Sequence, residues 1–406
     1  MVIFRNNSSV LEGPRMLNYF YMYSLVWGVI LVLYQLGWSS LNAPLSPILI
    51  AFFSITIIVS VILGYRFRNV FNKARGLSGL PKLPLAYPFI IAVCTIIGLF
   101  QLGYVPIANL IMGNLDYAGL LAADGSVFRT ASVVGSIFGS VYQFAIYFER
   151  RDKGDLVCIF FYLLIISLYA ARSNWMICLF CFLVVFTTHY SNSWKHKYLF
   201  IVVLIALAAL WLFGAYGNIR SGGSWDDSSY IYIYGRLNGR WPDFIPRQFG
   251  WAYIYLTSPL ANLNYNLAST TQGSTFDICN FIYDFLPMFI AKVLPNYSPL
   301  QAQLVVPYLT VSSVWTNYLV HFGVLGLMLG YIGQMLLMWL AGYISRNTPF
   351  QSLCFVFCTE CVAFSFFVNS FTYPSMSYPL LISVMFSILY VYANSRHVSF
   401  WSHRKL

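Results

Sequence analysis

Apolar runs about as long as a bilayer-spanning helix alternate with short polar connectors along this chain. A spanning helix needs about 20 predominantly apolar residues. The pattern predicts about ten of them. The first seven run Met16 to Trp38, Ser46 to Gly64, Leu85 to Ile107, Ala131 to Tyr147, Leu156 to Ala171, Asn174 to His189 and Tyr198 to Tyr216. The fifth and sixth form a hairpin with almost no loop. Three more follow a long gap: Trp315 to Ile344, Ser352 to Phe371 and Met376 to Asn394. The eighth is long enough to tilt or to extend beyond the bilayer. The first fifteen residues, "MVIFRNNSSVLEGPR", are polar, and no cleavable signal peptide is expected. No internal repeat is visible.

The gap itself is patterned. Residues 217–314 are too many for a mere connector. They contain two apolar runs shorter than a span, "WAYIYLTSPL" from Trp251 to Leu260 and "FIYDFLPMFIAKVL" from Phe281 to Leu294. Such runs suit re-entrant or interface-lying helices. Pro259, Pro287, Pro295, Pro299 and Pro307 punctuate the segment. The expected fold is therefore all-α: a polytopic membrane helical bundle of about ten transmembrane helices, with a large, partly helical outer loop. Residues 1–216 form a seven-helix bundle, 217–314 the loop that roofs a cavity, and 315–406 three further helices with a basic cytoplasmic tail.

Composition agrees with lipid as the main solvent. Of 406 residues 59% are hydrophobic and 9% charged, against about 25% charged in soluble domains. The net charge of +11 sets orientation rather than nucleic-acid binding, because no arginine-rich tail is interleaved with stacking aromatics. With the N-terminus in the cytoplasm, 16 of the 23 basic residues fall on cytoplasmic segments. The short outer connectors hold only Arg129 and Arg172. Both termini are then cytoplasmic and the 217–314 loop faces outward. The cysteines of "CLFC" and "CFVFCTEC" lie in apolar runs and read as small hydrophobes rather than metal ligands.

The outer loop opens with "NIRSGGSWDDSSYIYIYGRLNGRWPDFIPRQF", which gathers Arg220, Arg236, Arg240 and Arg247. Guanidinium groups bind phosphate in bidentate fashion and stay charged. Near a membrane surface their natural partner is a lipid-borne phosphate or diphosphate. Ion pairs with Asp226, Asp227, Asp243, Asp277 and Asp284 are the alternative for each. Arg172 stands at the hairpin tip in "YAARSNW", where a charge is a functional candidate and snorkelling is the bland reading. Trp225, Tyr253 and Tyr255, with Asn262, are sugar-compatible, and equally suit an interfacial aromatic belt. Asp226 and Asp227 are candidate general bases, although adjacent acids are common in turns. His321, in "TNYLVHFGVLG", could accept a proton or could simply be packed. Asn317 from the same stretch is a further candidate contact. Glu360 lies mid-span, where an acid is costly and faces the bundle interior.

The layout resembles the O-antigen polymerases, or oligosaccharide repeat-unit polymerases. The resemblance rests on the "AARSNW" hairpin, on "YLTSPLANLNYN" (Tyr255 to Asn266) and on "TNYLVHFGVLGLMLG" (Thr316 to Gly330). It has motif support over roughly Tyr169 to Gly330 and rests on topology elsewhere. It implies an integral-membrane glycosyltransferase of the GT-C type, related to O-antigen ligases, in the bacterial inner membrane with its site facing the periplasm. One undecaprenyl-diphosphate-linked glycan, the donor, would be transferred to the non-reducing end of another lipid-linked repeat unit, the acceptor. No metal or other cofactor is implied. Membrane lipids and a polysaccharide chain-length regulator are the remaining candidate partners, and no nucleic acid. Arg172 matches the family's hairpin arginine, and Arg220 an arginine after the helix that precedes the large loop. In the ligases a histidine stands near the start of the helix that begins here around Trp315. Thr316 occupies that position, and His321 is one turn deeper. The expected catalytic set is thus Arg172, Arg220, His321, Asp226 and Asp227. The expected substrate-binding set is Arg236, Arg240, Arg247, Trp225, Tyr253, Tyr255, Asn262 and Asn317. A ligase, a flippase or transporter of lipid-linked glycans, and a structural scaffold are the competing readings.

Overall fold

In the computed structural model, residues 18–71, 79–112, 126–190, 196–221, 223–270, 276–299 and 302–402 are described. Within them the chain is helical, with no strand and one isolated bridge. The helices are α1 (Tyr19–Gln35), α2 (Pro47–Phe71), α3 (Ala86–Leu102), α4 (Pro106–Ile111), α5 (Val127–Arg150), α6 (Lys153–Leu168), α7 (Arg172–Tyr190) and α8 (His196–Arg220). Then follow α9 (Ser229–Tyr234), α10 (Phe249–Thr270), α11 (Ile278–Tyr283), α12 (Met288–Ala291), α13 (Val314–Ser345), α14 (Gln351–Ala363) with a 3₁₀ turn at Phe364–Phe366, and α15 (Pro374–Ser402).

Among the described residues, four stretches are long and apolar enough to cross a membrane: Pro47–Phe67, Val127–Arg150, Val314–Ser345 and Pro374–Asn394. Shorter apolar helices, Tyr19–Gln35, Ala86–Leu102, Ser173–Thr188, Val203–Ile219 and Gln351–Phe366, stand beside them. Helix α5 is the central pillar. Its small residues let neighbours approach closely, as small residues do in membrane bundles. The Ile91 side chain fills the space over Gly135, and the Tyr162 ring the space over Gly139. A second knot joins α1, α2 and α13. Trp27 and Trp315 have ring centroids 6.0 Å apart, Phe52 and Trp315 5.0 Å, and Tyr23 and Tyr331 5.3 Å.

Two departures from the sequence reading shape the site, beside smaller ones: the third expected span stops at Leu102 before α4, and the ninth at Phe366. The eighth predicted helix is not one rod. Gly323 in α13 has φ 64° and ψ −160°, a backbone region essentially reserved for glycine. A Cβ on Gly326 would collide with the Tyr318 main-chain carbonyl, and one on Gly330 with the Tyr318 ring. In a straight helix eight or twelve residues separate such groups by roughly 12–18 Å. The 314–322 segment therefore folds back against 324–345. The latter keeps 22 residues, or roughly 33 Å, and is still a full span.

The second departure is α10. The run expected as a short piece from Trp251 to Leu260 starts at Phe249 and continues through Pro259 to Thr270. Proline removes one N–H bond and crowds the carbonyl four residues back, and other contacts hold the helix. Asn262 Nδ2 donates to the Leu309 and Val311 carbonyls at 3.1 and 2.8 Å, and Asn262 Oδ1 accepts from Val305 N at 2.9 Å. Asn266 exchanges two bonds with the Gln303 backbone, at 2.7 and 2.9 Å. A 303–311 segment that turns at 305–308 is thus laced to the helix. Tyr253 Oη accepts from Trp38 N and from Asn42 Nδ2, while Asn264 Nδ2 donates to the Pro44 carbonyl. Tyr253 and Asn264 lie roughly 16 Å apart on the helix, yet both touch the same 38–46 connector. The connector therefore follows helix α10 for about three turns, while Leu260, Leu263 and Leu267 of the same helix enter the main core. The Ser39–Leu237 bridge pins residues 235–238 to the same connector, so the 217–314 segment and the α1–α2 connector share one end.

Candidate functional site

At this shared end the hairpin between α6 and α7 meets α8 and α10. Gly214 of α8 lies against the Gln248 carbonyl, so close that a Cβ would collide with it, and Gly217 against the Trp251 ring. These two glycines seat the start of α10 on α8. That seating aims Tyr255 into an apolar hollow, where its ring stacks on Phe367 at 5.8 Å and meets Phe213 edge-on at 5.2 Å. Ser173, Met176 and Leu210 are among the other residues of its wall. Arg172 is the neighbour of Ser173 and opens α7, and Arg220 closes α8. The side chains of Arg172 and Arg220 lie outside the described residues. Arg129 is close by, its guanidinium 5.8 Å from the Tyr169 ring centroid at the hairpin tip.

The remaining loop arginines are all exposed. Arg236 has φ 47° and stands beside the bridge to Ser39, its carbonyl accepting from Ser40 N at 3.0 Å. Arg240 lies over Gly37. Arg247 sits 5.2 Å from the Tyr232 ring centroid and donates to Ser228 Oγ at 3.4 Å. Among the described residues none of the three is ion-paired. Asp226 accepts from Ser224 Oγ at 2.6 Å, and Asp227 from Ser229 N at 2.9 Å at the start of α9. The Ser229 N–H holds the Asp227 carboxyl below the usual carboxylate range. The pair thus builds a turn, and a lowered pKa makes Asp227 a weaker base. Trp225 is exposed, with its ring edge-on to Trp211 at 5.7 Å. The polar atoms of Tyr253 and Asn262 are engaged by the protein's own backbone and by Asn42, in the structural contacts given above.

A second polar cluster forms where α11 docks on the folded-back 314–322 segment. Asn317 Nδ2 donates to Asp284 Oδ1 at 2.9 Å, and Asn369 Nδ2 to the Asp284 carbonyl at 2.9 Å. His321 Nε2 stands 3.8 Å from Asp284 Oδ2, beyond hydrogen-bond length. Asp284 Oδ2 has no hydrogen-bond partner among the described residues, although the residue is only 7% exposed. Burial pushes the Asp284 carboxyl up to about 7, opposed by the nearby side-chain amides of Asn317 and Asn369, which favour the carboxylate. Asp277 caps α11 through Asn280 N at 3.0 Å and donates its own N–H to the His321 carbonyl at 2.8 Å. The bonds from Asn280 hold the Asp277 carboxyl below the usual range. Phe285 stacks on Tyr318 at 4.9 Å and fixes the dock.

The structure therefore joins His321 and Asn317 around Asp284, a residue that sequence reasoning counted only as a possible ion-pair partner. Its partners lie 33 to 85 positions away, so no local signal marks it. No described contact joins the Asp226–Asp227 turn to His321. Glu360 is fully buried, with the Cys361 thiol 3.8 Å from Oε2. No family model, curated protein or solved structure matches the chain.

Proposed function

We propose that this chain is a membrane glycosyltransferase of the repeat-unit polymerase kind. It transfers a glycan from undecaprenyl diphosphate to a second lipid-linked glycan at the outer face of the bacterial inner membrane. In this reading the shorter apolar helices join the four long ones to make about ten spans. The shared end of the bundle is periplasmic, and both termini are cytoplasmic. The observation that carries the reading is the apolar hollow whose rim residue, Ser173, adjoins Arg172. A polyprenyl chain needs an apolar groove, and its diphosphate needs fixed cations at the mouth. The leaving diphosphate gains negative charge as the glycosidic bond breaks. Preorganised donors at such a charge are worth about 3 kcal/mol each. Arg236, Arg240 and Arg247 are exposed with no acid in ion-pair reach among the described residues. They can meet further phosphate or acidic sugar. A chain-length regulator would act on the polymer from the same face.

The test is the surface-glycan ladder of a strain lacking the gene. Loss of long chains with a single repeat unit retained supports the polymerase, and loss of all attached glycan points to a ligase or a flippase. One observation favours transport as a second reading. Broken helices at membrane depth are typical of transporters, and α13 breaks at Gly323. Turnover in vesicles that already carry substrate on the outer face separates the two, because a flippase adds nothing there.

A further inference from the structure

We propose that Asp284 takes the proton from the attacking hydroxyl, with His321 across the gap and with Asn317 and Asn369 as positioning residues. The proposal rests on the transferase reading above and adds the base that this reading lacks.

The geometry comes first. One carboxyl oxygen and the main-chain carbonyl of Asp284 are each tied by an asparagine. The other oxygen is buried and unpartnered among the described residues. It faces His321 Nε2 across 3.8 Å. A hydroxyl oxygen about 2.8 Å from each atom closes a triangle over that gap once the groups that seal Oδ2 from solvent make way for it. It would donate to Oδ2 and accept from an Nε2–H, which turns its free lone pair outward. Catalytic contacts are often long before substrate arrives. The break at Gly323 is what folds His321 and Asn317 back to this point; in a straight rod the 314–322 segment would stand clear of 324–345.

Access is from the lipid side. Phe276, Ile278, Ile282, Phe289 and Val293 are exposed along the segment that carries Asp284, the apolar outer surface of an interface-lying lip. A lipid-linked acceptor could bring its sugar over this lip. In the step, the acceptor hydroxyl oxygen bonds to the anomeric carbon of the donor. The bond from that carbon to the diphosphate oxygen breaks, and its electron pair leaves with polyprenyl diphosphate. The hydroxyl proton passes to the Asp284 carboxylate and then to water.

The titratable groups around Asp284 are His321 and Tyr318 from α13, Asp277 from the cap of α11 and Tyr297 from the following loop. The 369–373 turn contributes the neutral Asn369. The base must be ionised to act. With a carboxyl that loses its proton at about 7, activity rises as pH passes through that value.

The experiment uses membranes of the native cells, with their endogenous lipid-linked glycans, and follows the ladder with time as a function of pH. Asp284→Asn is expected to lower the rate about 10²–10⁴-fold and to abolish the rise near pH 7. Asp284→Glu should keep part of the rate. Asn317→Ala should move the midpoint upward, because a donor that favours the carboxylate is gone. A purely structural role would not move that midpoint. In parallel, binding of undecaprenyl diphosphate to the purified full chain in nanodiscs is expected to be unchanged in Asp284→Asn. A wild-type rate in Asp284→Asn, or an unmoved midpoint in Asn317→Ala, overturns the role of Asp284 and leaves the transferase standing. A wild-type chain that neither binds undecaprenyl diphosphate nor lengthens glycans overturns both. Should Asp284→Asn fail to fold, the midpoint of Asn317→Ala and the partial rate of Asp284→Glu decide.

Discussion

Gly326→Ala isolates the fold-back of α13. A Cβ at this position would overlap the Tyr318 carbonyl oxygen, and would stand 3.0 Å from the Tyr318 carbonyl carbon and 2.9 Å from Phe322 Cβ. Two of these atoms are backbone, so no rotamer change relieves the contact. The 314–322 segment must move as a unit. Overpacking of a tight core costs about 1–3 kcal/mol, and a backbone clash belongs at the upper end. An ordinary helix would instead gain from glycine to alanine, by roughly 0.5–1 kcal/mol. Gly28 in α1 supplies the control, because a Cβ there meets nothing within 4 Å. The assay is the apparent Tm of the full chain in nanodiscs, read beside the glycan ladder. Gly326→Ala should lower Tm and shorten the glycans, since Asn317 and His321 are displaced from Asp284. Gly28→Ala should leave both at or above wild type. If Gly326→Ala is as stable and as active as wild type, the folded-back segment is misread, and α13 is a single rod.

Further outcomes follow from the same contacts. Asn262→Leu should free the 303–311 segment, leave the Leu309 and Val311 carbonyls and the Val305 N–H unpaired, and cost about 1–3 kcal/mol per buried group; faster protease cleavage within 303–311 reports it. Asp284 binds its proton more tightly folded than unfolded, because its pKa is raised from 3.8 to about 7. Its contribution to stability is therefore complete below pH 3.8 and is lost as pH rises to about 7; thermal inactivation of Asp284→Asn should lack that part of the slope. Arg172→Ala and Arg220→Ala should each abolish long-chain glycan while the protein still inserts, and lysine should rescue poorly because it lacks the bidentate fork. Long chains from both alanine variants would refute the site. Leu210→Trp should fill the apolar hollow and weaken binding of undecaprenyl diphosphate.

Much of the bundle is legible in the sequence, because lipid leaves the backbone few choices and apolar length marks each helix. The turn at Arg172 is legible from the two apolar runs that flank "YAARSNW", since a helix ends at Leu168 and α7 begins at Arg172. Helix α10 was not legible. Thr257, Ser258, Asn262 and Asn266 dilute its hydropathy, and the two asparagines are satisfied while buried because residues 303–311 return to them. That is tertiary information. The break in α13 was hidden for the opposite reason. Its apolar pattern is continuous, and glycines at 323, 326 and 330 read equally well as a packing face. For the candidate site, His321 and Asn317 were visible as isolated residues, but Asp284 was one acid among five in the loop. Only the fold brings it to them.

The tie between the α1–α2 connector and the distant loop has a consequence for how the protein is made. The Trp38 amide waits for Tyr253, 215 residues later in the chain. At about 5–20 residues per second, the ribosome delivers that phenol roughly 10–40 s after the connector has emerged. During that interval Ser39, Asn42 and Ser46 have none of their later partners. The first two helices must therefore rest in the bilayer as an unfinished pair, open to any quality-control protease that samples the connector, until the second half of translation closes the latch.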